Sequence, residues 1–411
     1  MGEPGGPRRQ PGESGGGALH GAVPLCHNSP PSPATALPRP RAVPPRRTAA
    51  TAGSGRVQPI DRHRRMKRKG ALSYRSAGVD IEAKERALRK VGELARATAR
   101  PEVLGGVGGF GGLFRLPPGR FRDPVLVGSV DGVGTKLRIA LEAGIHDTVG
   151  YDLVAHCVND IFVQGAEPLF FMDYVASGAL NPKVLLDIIS GISRACKEFN
   201  CALLGGETAE MPGFYAGGDY DVAGFILGVV ERESLLDGSR VRPGDRLVGL
   251  ASEGLHTNGY SLARQILFER LGLKLDSRLP GLGCTVREEL LRPHRCYRAA
   301  LVGLVEAGWI NALAHITGGG ITDNLPRSLP DGCSARVRVS AWEVPPFFRL
   351  LQREGNVDDA EMRRTFNLGV GMIAIVPPDR QQAALKALRN KGERVFEIGE
   401  VVAGHHRVEY V

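Results

Sequence analysis

Ser129-Val130-Asp131-Gly132-Val133-Gly134-Thr135-Lys136 joins two runs of opposite habit, and the class of fold turns on how that junction is understood. Ahead of it Pro124-Val125-Leu126-Val127-Gly128 is short, apolar and β-branched, the composition of a buried strand. Behind it Lys136 to Ala143 reads as a helix, with Gly144 placed to close it. A strand, a glycine turn and a helix in that order predict an α/β unit. The turn holds an acid, two glycines, a hydroxyl and a lysine. Gly132 and Gly134 let backbone N–H groups approach an anion, Thr135 and Lys136 can touch phosphate, and Asp131 can hold Mg2+. The same residues also suit a plain tight turn in which Asp131 caps the helix. The glycine spacing is too short for a Walker A loop.

Composition narrows the classes. The chain has 411 residues, 42% of them hydrophobic, enough for two or three domains. Its net charge of +9 is concentrated at the start: residues 1–65 carry ten Arg, no Lys and three acids, a net of +7, against +2 for the rest. The folded part therefore offers no electrostatic footprint for nucleic acid. No apolar run reaches the roughly 18 residues of a membrane span, so a soluble, cytoplasmic protein is expected. Seven cysteines without a CxxC pair argue against a disulfide framework or a zinc ribbon.

Along the chain, residues 1–65 are rich in Gly, Pro, Ala, Ser and Arg and are expected to be a disordered leader, with Met66 the functional start. A helix is predicted over 82–99. Gly105 to Gly112 holds six glycines in eight residues, a mobile loop by composition. Residues 149–165 predict a largely apolar helix on which Asp152, His156, Asn159 and Asp160 fall on one side. Carboxylates on a buried helix need a partner; a metal ion or a structural cation would each serve. Strands are predicted at 168–176, 201–204 and 220–230, with an amphipathic helix over 182–199. The Gly205-Gly206-Glu207-Thr208-Ala209-Glu210 stretch reads as a strand end followed by a polar loop able to hold Mg2+ or nucleotide. A turn-rich join near 237 divides the chain into expected domains 66–237 and 238–411. The second opens with a strand at 246–251 and a polar loop, His256-Thr257-Asn258-Gly259, ahead of a helix reaching about 270. His315-Ile316-Thr317-Gly318-Gly319-Gly320 leads into another helix start, a second candidate anion cradle. Strands at 334–339, 369–376 and 394–398 alternate with helices at 345–355 and 379–391. Periodicity alone yields a mixed α/β chain of two lobes.

Taken together, LSYRSAGVDI (72–81), RPEVLGGVGGFGGLF (100–114), DGVGTKL (131–137), VGYDLVAHCVNDIFVQGAEPLFFMDY (149–174), LLGGETAEMPG (203–213), HTNGYS (256–261), ITGGGITDNLPR (316–327) and RTFNLGVGM (364–372) closely resemble the phosphoribosylformylglycinamidine cyclo-ligases, or AIR synthetases, of purine biosynthesis. The resemblance runs from about residue 70 to 411. It implies a two-domain α/β architecture in which the N-terminal sheets of two protomers meet in a barrel-like dimer interface. It also implies ATP-dependent ring closure of formylglycinamidine ribonucleotide to aminoimidazole ribonucleotide. ATP would activate the formyl amide oxygen, and the amidine nitrogen would displace phosphate. Positioning and charge neutralisation dominate such phosphoryl transfer. By resemblance, Asp131, Asp152, Asp160 and Glu207 are the metal candidates, Asp131, Gly132, Gly134, Thr135, Asn159, Asp160 and Glu207 the Mg·ATP contacts, and Thr317, Gly318 and Gly319 a phosphate cradle. Lys136, His256 and Asn258 are the catalytic candidates, with His256 polarising the amide or carrying its proton.

Other readings make different demands. A thiamine-monophosphate kinase is less similar around GGETAEMPG and TGGG. A selenophosphate synthetase wants a reactive Cys or selenocysteine in its N-terminal loop, absent between Met66 and His156. A larger formylglycinamidine synthase needs a glutaminase domain, for which there is no room. A non-catalytic nucleotide scaffold would not keep every candidate acid. A dinucleotide oxidoreductase needs a GxGxxG after a strand with an acid about 20 residues on.

Overall fold

A computed structural model describes residues 81–106 and 108–411 of the chain. The leader at 1–65, the Met66 start and the segment at 72–80 lie outside the described residues. The elements run α1 (Ile81–Arg96), β1 (Pro124–Gly132), α2 (Lys136–Ala143), α3 (Asp147–Phe162), β2 (Glu167–Ser177), α4 (Pro182–Glu198), β3 (Ala202–Glu210) and β4 (Tyr220–Glu231). The second series is β5 (Arg246–Ala251), α5 (Tyr260–Arg264), α6 (Val286–Leu290), α7 (Arg298–Glu306), β6 (Ala312–His315), α8 (Gly320–Asn324), β7 (Cys333–Val337), α9 (Pro346–Gly355), α10 (Asp359–Thr365), β8 (Val370–Val376), α11 (Gln381–Asn390), β9 (Val395–Ala403) and β10 (Val408–Tyr410). Short turns of 3-10 and π-helix punctuate them. The fold is mixed α/β.

Each series builds one sheet. In the first the order is β1-β4-β2-β3, antiparallel except for β2 and β3. In the second it is β10-β7-β9-β5-β8-β6, antiparallel except for β10 and β7. Both lie within the single compact unit Gly70–Val411.

Helix α3 covers the inner face of the first sheet. Val149, Leu153, Val154, Val158 and Ile161 are fully buried, each such side chain contributing about 1.5–3 kcal/mol. Its approach to α4 is very close. A Cβ on Gly150 would stand 2.1 Å from the Ile188 carbonyl oxygen, and one on Gly191 1.9 Å from that of Asp147. Only glycine lets the two backbones meet there.

Two predicted boundaries change. Strand β1 continues through Asp131 to Gly132, so Asp131 is a strand residue and does not cap α2. The cap position belongs to Thr135, whose side chain makes no capping bond. Strand β3 likewise runs on to Glu210 where a polar loop was expected. Glu210 accepts the Leu180 N–H at 2.8 Å, a structural bond.

The outer face of the first sheet is apolar and exposed. Leu126 is 52% exposed, Val130 68%, Tyr174 41% and Phe225 36%. Cross-strand register sets Val130 opposite Phe225, and Phe225 opposite Met172, so these side chains form one surface.

Candidate functional site

The inner end of β1, the polar stripe of α3 and three loops of the second series converge. Strand alternation turns Ser129 and Asp131 toward α3. His156, one helical turn before Asp160, lies between two carboxylates: its Nε2–H reaches Asp131 Oδ2 at 2.7 Å and Asp160 Oδ2 at 3.4 Å. Ser129 Oγ donates to Asp160 at 3.3 Å, and the Gly132 N–H to Asp131 at 2.7 Å. His315, the last residue of β6, meets Asp160 Oδ1 through Nδ1 at 2.8 Å.

These contacts set the charges. Burial works against an imidazolium at His156, yet its bonds to Asp131 and Asp160 carry its pKa up to about 10. Burial would raise both acids. For Asp131 the hydrogen bond and charge of His156 and the Gly132 N–H outweigh it; for Asp160 the bonds of His156 and His315 do so, and both carboxyls sit below the usual range. At neutral pH the centre is two carboxylates around one imidazolium. Because the folded His156 pKa lies above the ordinary 6.5, its stabilisation is complete below pH 6.5 and is lost as pH rises through about 10. We therefore expect the wild-type melting temperature to fall between pH 7 and pH 10 by more than that of His156→Asn. Parallel pH profiles for the two proteins would contradict the assignment.

The polar contacts close into a ring. His156 Nδ1 meets Thr257 Oγ1 at 2.8 Å, Thr257 Oγ1 meets His294 Nδ1 at 3.4 Å, and His294 Nε2 meets His315 Nε2 at 3.1 Å. His315 returns to Asp160. Sequence patterning pointed to neither His294 nor His315 as a site residue. His315 carried a signal, a polar residue ending an apolar strand just before the glycines; His294 carried none.

Two candidates have an internal role instead. Lys136 and Asp152 are both fully buried and form an ion pair at 2.6 Å. Lys136 Nζ also donates to the carbonyls of Arg292 at 2.6 Å and His256 at 3.3 Å. Asp152 Oδ1 accepts the His294 N–H at 2.6 Å, and burial pushes its carboxyl up against the pull of Lys136. Neither residue is left a free face for phosphate or metal. Asn159 is also fully buried and bonds the Arg295 carbonyl at 2.8 Å and the Tyr297 N–H at 2.9 Å, with His294 Nε2 3.4 Å from its amide nitrogen, so its amide clamps backbone.

His256, expected at the substrate, is 1% exposed, with φ of 61°. Its Nε2 accepts the Glu253 N–H at 3.2 Å, Nδ1 has no partner, and burial holds the ring neutral. It stacks on His294, ring centroids 4.2 Å apart. Its neighbour Asn258 is half-buried and lies beside Gly318, so the second-series loops do come together. Gly318 is exposed and Gly319 has φ of 97°; Asn324 holds the loop through the carbonyls of Gly318 and Gly320 at 3.0 and 2.9 Å. Thr317 bonds Asn324 at 3.3 Å. Gly134 and Thr135 are exposed, with Thr135 Oγ1 3.1 Å from Ser261 Oγ.

Glu207 does not join Asp131 and Asp160 within one chain. The register aligns Asp131, Gly224, Asp173 and Gly206 on the inner face, and Gly132, Ala223, Tyr174 and Glu207 on the outer one. Glu207 instead lines a cavity of about 430 Å³ with Asp173 and the glycine-rich residues 108–112. Burial, with Glu207 nearby, pushes the Asp173 carboxyl up to about 7. The loop's base is paired, Leu104 N–H to the Leu113 carbonyl at 2.8 Å, and a Cβ on Gly112 would be 2.4 Å from Leu204 Cγ.

Both the sequence and the fold have counterparts among known proteins. Residues 119–230 match the N-terminal domain, and 242–411 the C-terminal domain, of AIR synthase related protein. The chain is 52% identical to the phosphoribosylformylglycinamidine cyclo-ligase of Citrifermentans bemidjiense over 343 residues, 83% of this chain and 99% of that one. It is 53% identical to the enzyme of that name from Geobacter sulfurreducens over 333 residues, 81% and 96% of the two chains. The chain belongs to the phosphoribosylformylglycinamidine cyclo-ligase family. In fold it is similar to a thiamine-monophosphate kinase from Stenotrophomonas maltophilia, with a TM-score of 0.58 at 19% identity over 79% of this chain and 95% of that one. A hydrogenase maturation protein solved in complex with ATP gives 0.56 at 20% identity, over 80% and 90%.

Proposed function

We propose that this protein closes the imidazole ring of aminoimidazole ribonucleotide from formylglycinamidine ribonucleotide, consuming ATP and releasing ADP and phosphate in purine biosynthesis. Identity above 50% to cyclo-ligases across nearly their whole length carries the reading. ATP turnover is expected only when formylglycinamidine ribonucleotide and Mg2+ are both present, followed as ADP and the imidazole product. Hydrolysis driven by thiamine monophosphate or selenide, with none driven by the amidine, would overturn it.

The donor set at Asp131 and Asp160 fits Mg2+: hard carboxylate oxygens, held ionised, with side chains 40% and 26% exposed. When bound, that ion would neutralise phosphate charge. His156 keeps the carboxylates apart and oriented until then. Exposed Gly134 and Thr135 offer a backbone N–H and a hydroxyl to phosphate, and Thr317, Gly318, Gly319 and Asn258 form the substrate side. Glu207 serves the nucleotide from the cavity beside the glycine-rich loop. We assign residues 66–237 and 238–411 to two lobes, one sheet in each, and place the enzyme in the cytoplasm; no helix among the described residues is long and apolar enough to cross a membrane.

We also assign the apolar outer face of the first sheet to a homodimer, since a surface carrying Leu126, Val130, Tyr174 and Phe225 is costly to leave in water. Val130→Asp is expected to convert a dimer to a monomer in light scattering. A wild-type monomer, or a dimer untouched by the substitution, would refute this.

A further inference from the structure

We propose that the second series carries an accessory site for a nucleoside monophosphate, in the cavity between α9, α10 and β10. The proposal concerns binding alone and does not rest on the proposed reaction. The cavity holds about 450 Å³, within the roughly 300–1,000 Å³ of small-molecule pockets. Asp131, Asp160, Glu207 and Gly318 are not among its lining residues, so it is separate from the centre described above.

Its walls are aromatic. Trp342, Phe366 and Tyr410 line it. The Trp342 indole N–H is spent on the Leu368 carbonyl at 2.9 Å, and the Tyr410 hydroxyl on Thr322 Oγ1 at 2.7 Å. What these two rings leave for a ligand is carbon surface, on which a nucleobase stacks. The floor is set in advance. Leu368 holds φ of 50°, a conformation that a leucine keeps only where its surroundings impose it. They do so here through Trp342 and through Asn367, whose Oδ1 accepts the Gly369 N–H at 2.8 Å and whose Nδ2 donates to the Gly254 carbonyl at 3.0 Å. A pocket already shaped loses little on binding.

Charge selects the rest of the ligand. Arg349 and Arg363 line the same cavity against one acid, Asp359. Their ion pairs are loose. Arg349 stands 3.5 Å from the exposed Glu343, and Arg363 3.4 Å from Asp359, beyond the roughly 2.7–2.9 Å of a full charge-assisted bond. Both guanidinium groups thus keep N–H donors for a phosphate, whose geometry their fork matches. Arg363 is held at the wall, 4.7 Å over the Tyr410 ring. Gln352 and Asp359, bonded at 2.6 Å, supply acceptors for sugar hydroxyls or a base amino group. A fatty acid would use the walls and the arginines but not that pair; a nucleotide uses all three.

Trp342 reports on the site directly. The chain's other tryptophan, Trp309, lies under Arg380, so full-length Trp309→Phe protein has a single indole, in the cavity. AMP is expected to quench its fluorescence saturably. Adenosine, without the phosphate, should bind about tenfold more weakly or worse, the scale of one charged hydrogen bond. Ribose 5-phosphate, without the base, should leave the fluorescence unchanged. Arg349→Gln and Arg363→Gln should each weaken AMP by a similar factor and leave adenosine as it was. The Arg349 side chain is exposed, so its variant keeps the fold. Absence of saturable quenching by AMP would overturn the proposal. So would equal affinity for AMP and adenosine, or an AMP affinity unmoved in both variants.

Discussion

Asp131→Asn is expected to remain folded and to lose turnover by on the order of 10²–10³-fold, the scale of removing one preorganised charge-stabilising group. Asparagine keeps an oxygen for only one of the two N–H groups, since Gly132 donates to Oδ1 and His156 to Oδ2, but the side chain is part-exposed and His156 keeps its contact with Asp160, so the stability at stake is modest. Asp160→Asn should lose a similar factor in kcat with a further effect. Asp160 takes bonds from His156, His315 and Ser129 and is more enclosed, so its apo melting temperature should fall as well. In both variants the stabilisation that Mg·ATP adds to the wild type should disappear. Retained turnover in the two together would remove this centre from the site.

Lys136→Met carries the other large effect, and it acts on folding. The substitution strands a fully buried Asp152 carboxylate and frees the carbonyls of Arg292 and His256. Breaking a buried pair from one side costs about 3–5 kcal/mol. Replacing both partners, Lys136→Met with Asp152→Leu, should recover most of that loss, because burial of the charges is itself expensive. Urea unfolding of the single and double variants measures both quantities. A single variant as stable as wild type but inactive would return Lys136 to the phosphate-binding role suggested by its place in the glycine turn.

The sequence patterning locates these groups more surely than it separates them. Period 3.6 correctly places Asp152, His156, Asn159 and Asp160 on one side of α3. What it lacks is depth along that side. Asp160 lies at the open end near Asp131, whereas Asp152 and Asn159 face backbone more than 130 residues away, at His294, Arg295 and Tyr297. No local pattern encodes so distant a partner. The glycine pair at 205–206 misled for a different reason. Glycine ordinarily interrupts a strand, but here β3 continues through its pairing with β2, and glycine stands at 206 because a Cβ there would fall 2.4 Å from Asp173 Oδ1. Strand β5, by contrast, agrees residue for residue with the expectation from its apolar run. The resemblance groups Glu207 with the other acids, whereas spacing along a chain says nothing about which face of a sheet a residue occupies. That assignment came only from the pairing of β2 with β3.

The seam between the two series bears on how the chain is made. On the ribosome the first sheet is complete in sequence once Glu231 has emerged, yet Lys136, Asp152 and Asn159 still await the backbone of 292–297. At roughly 5–20 residues per second the nascent chain spends several seconds with these groups unpartnered. During that interval the apolar side of α3 already has the first sheet and α4 to pack on, while its polar stripe is left to water. The polar stripe that organises the finished centre is thus completed only after the second series has begun to emerge. A gene split near codon 237 would yield a first fragment prone to aggregate until the second is supplied.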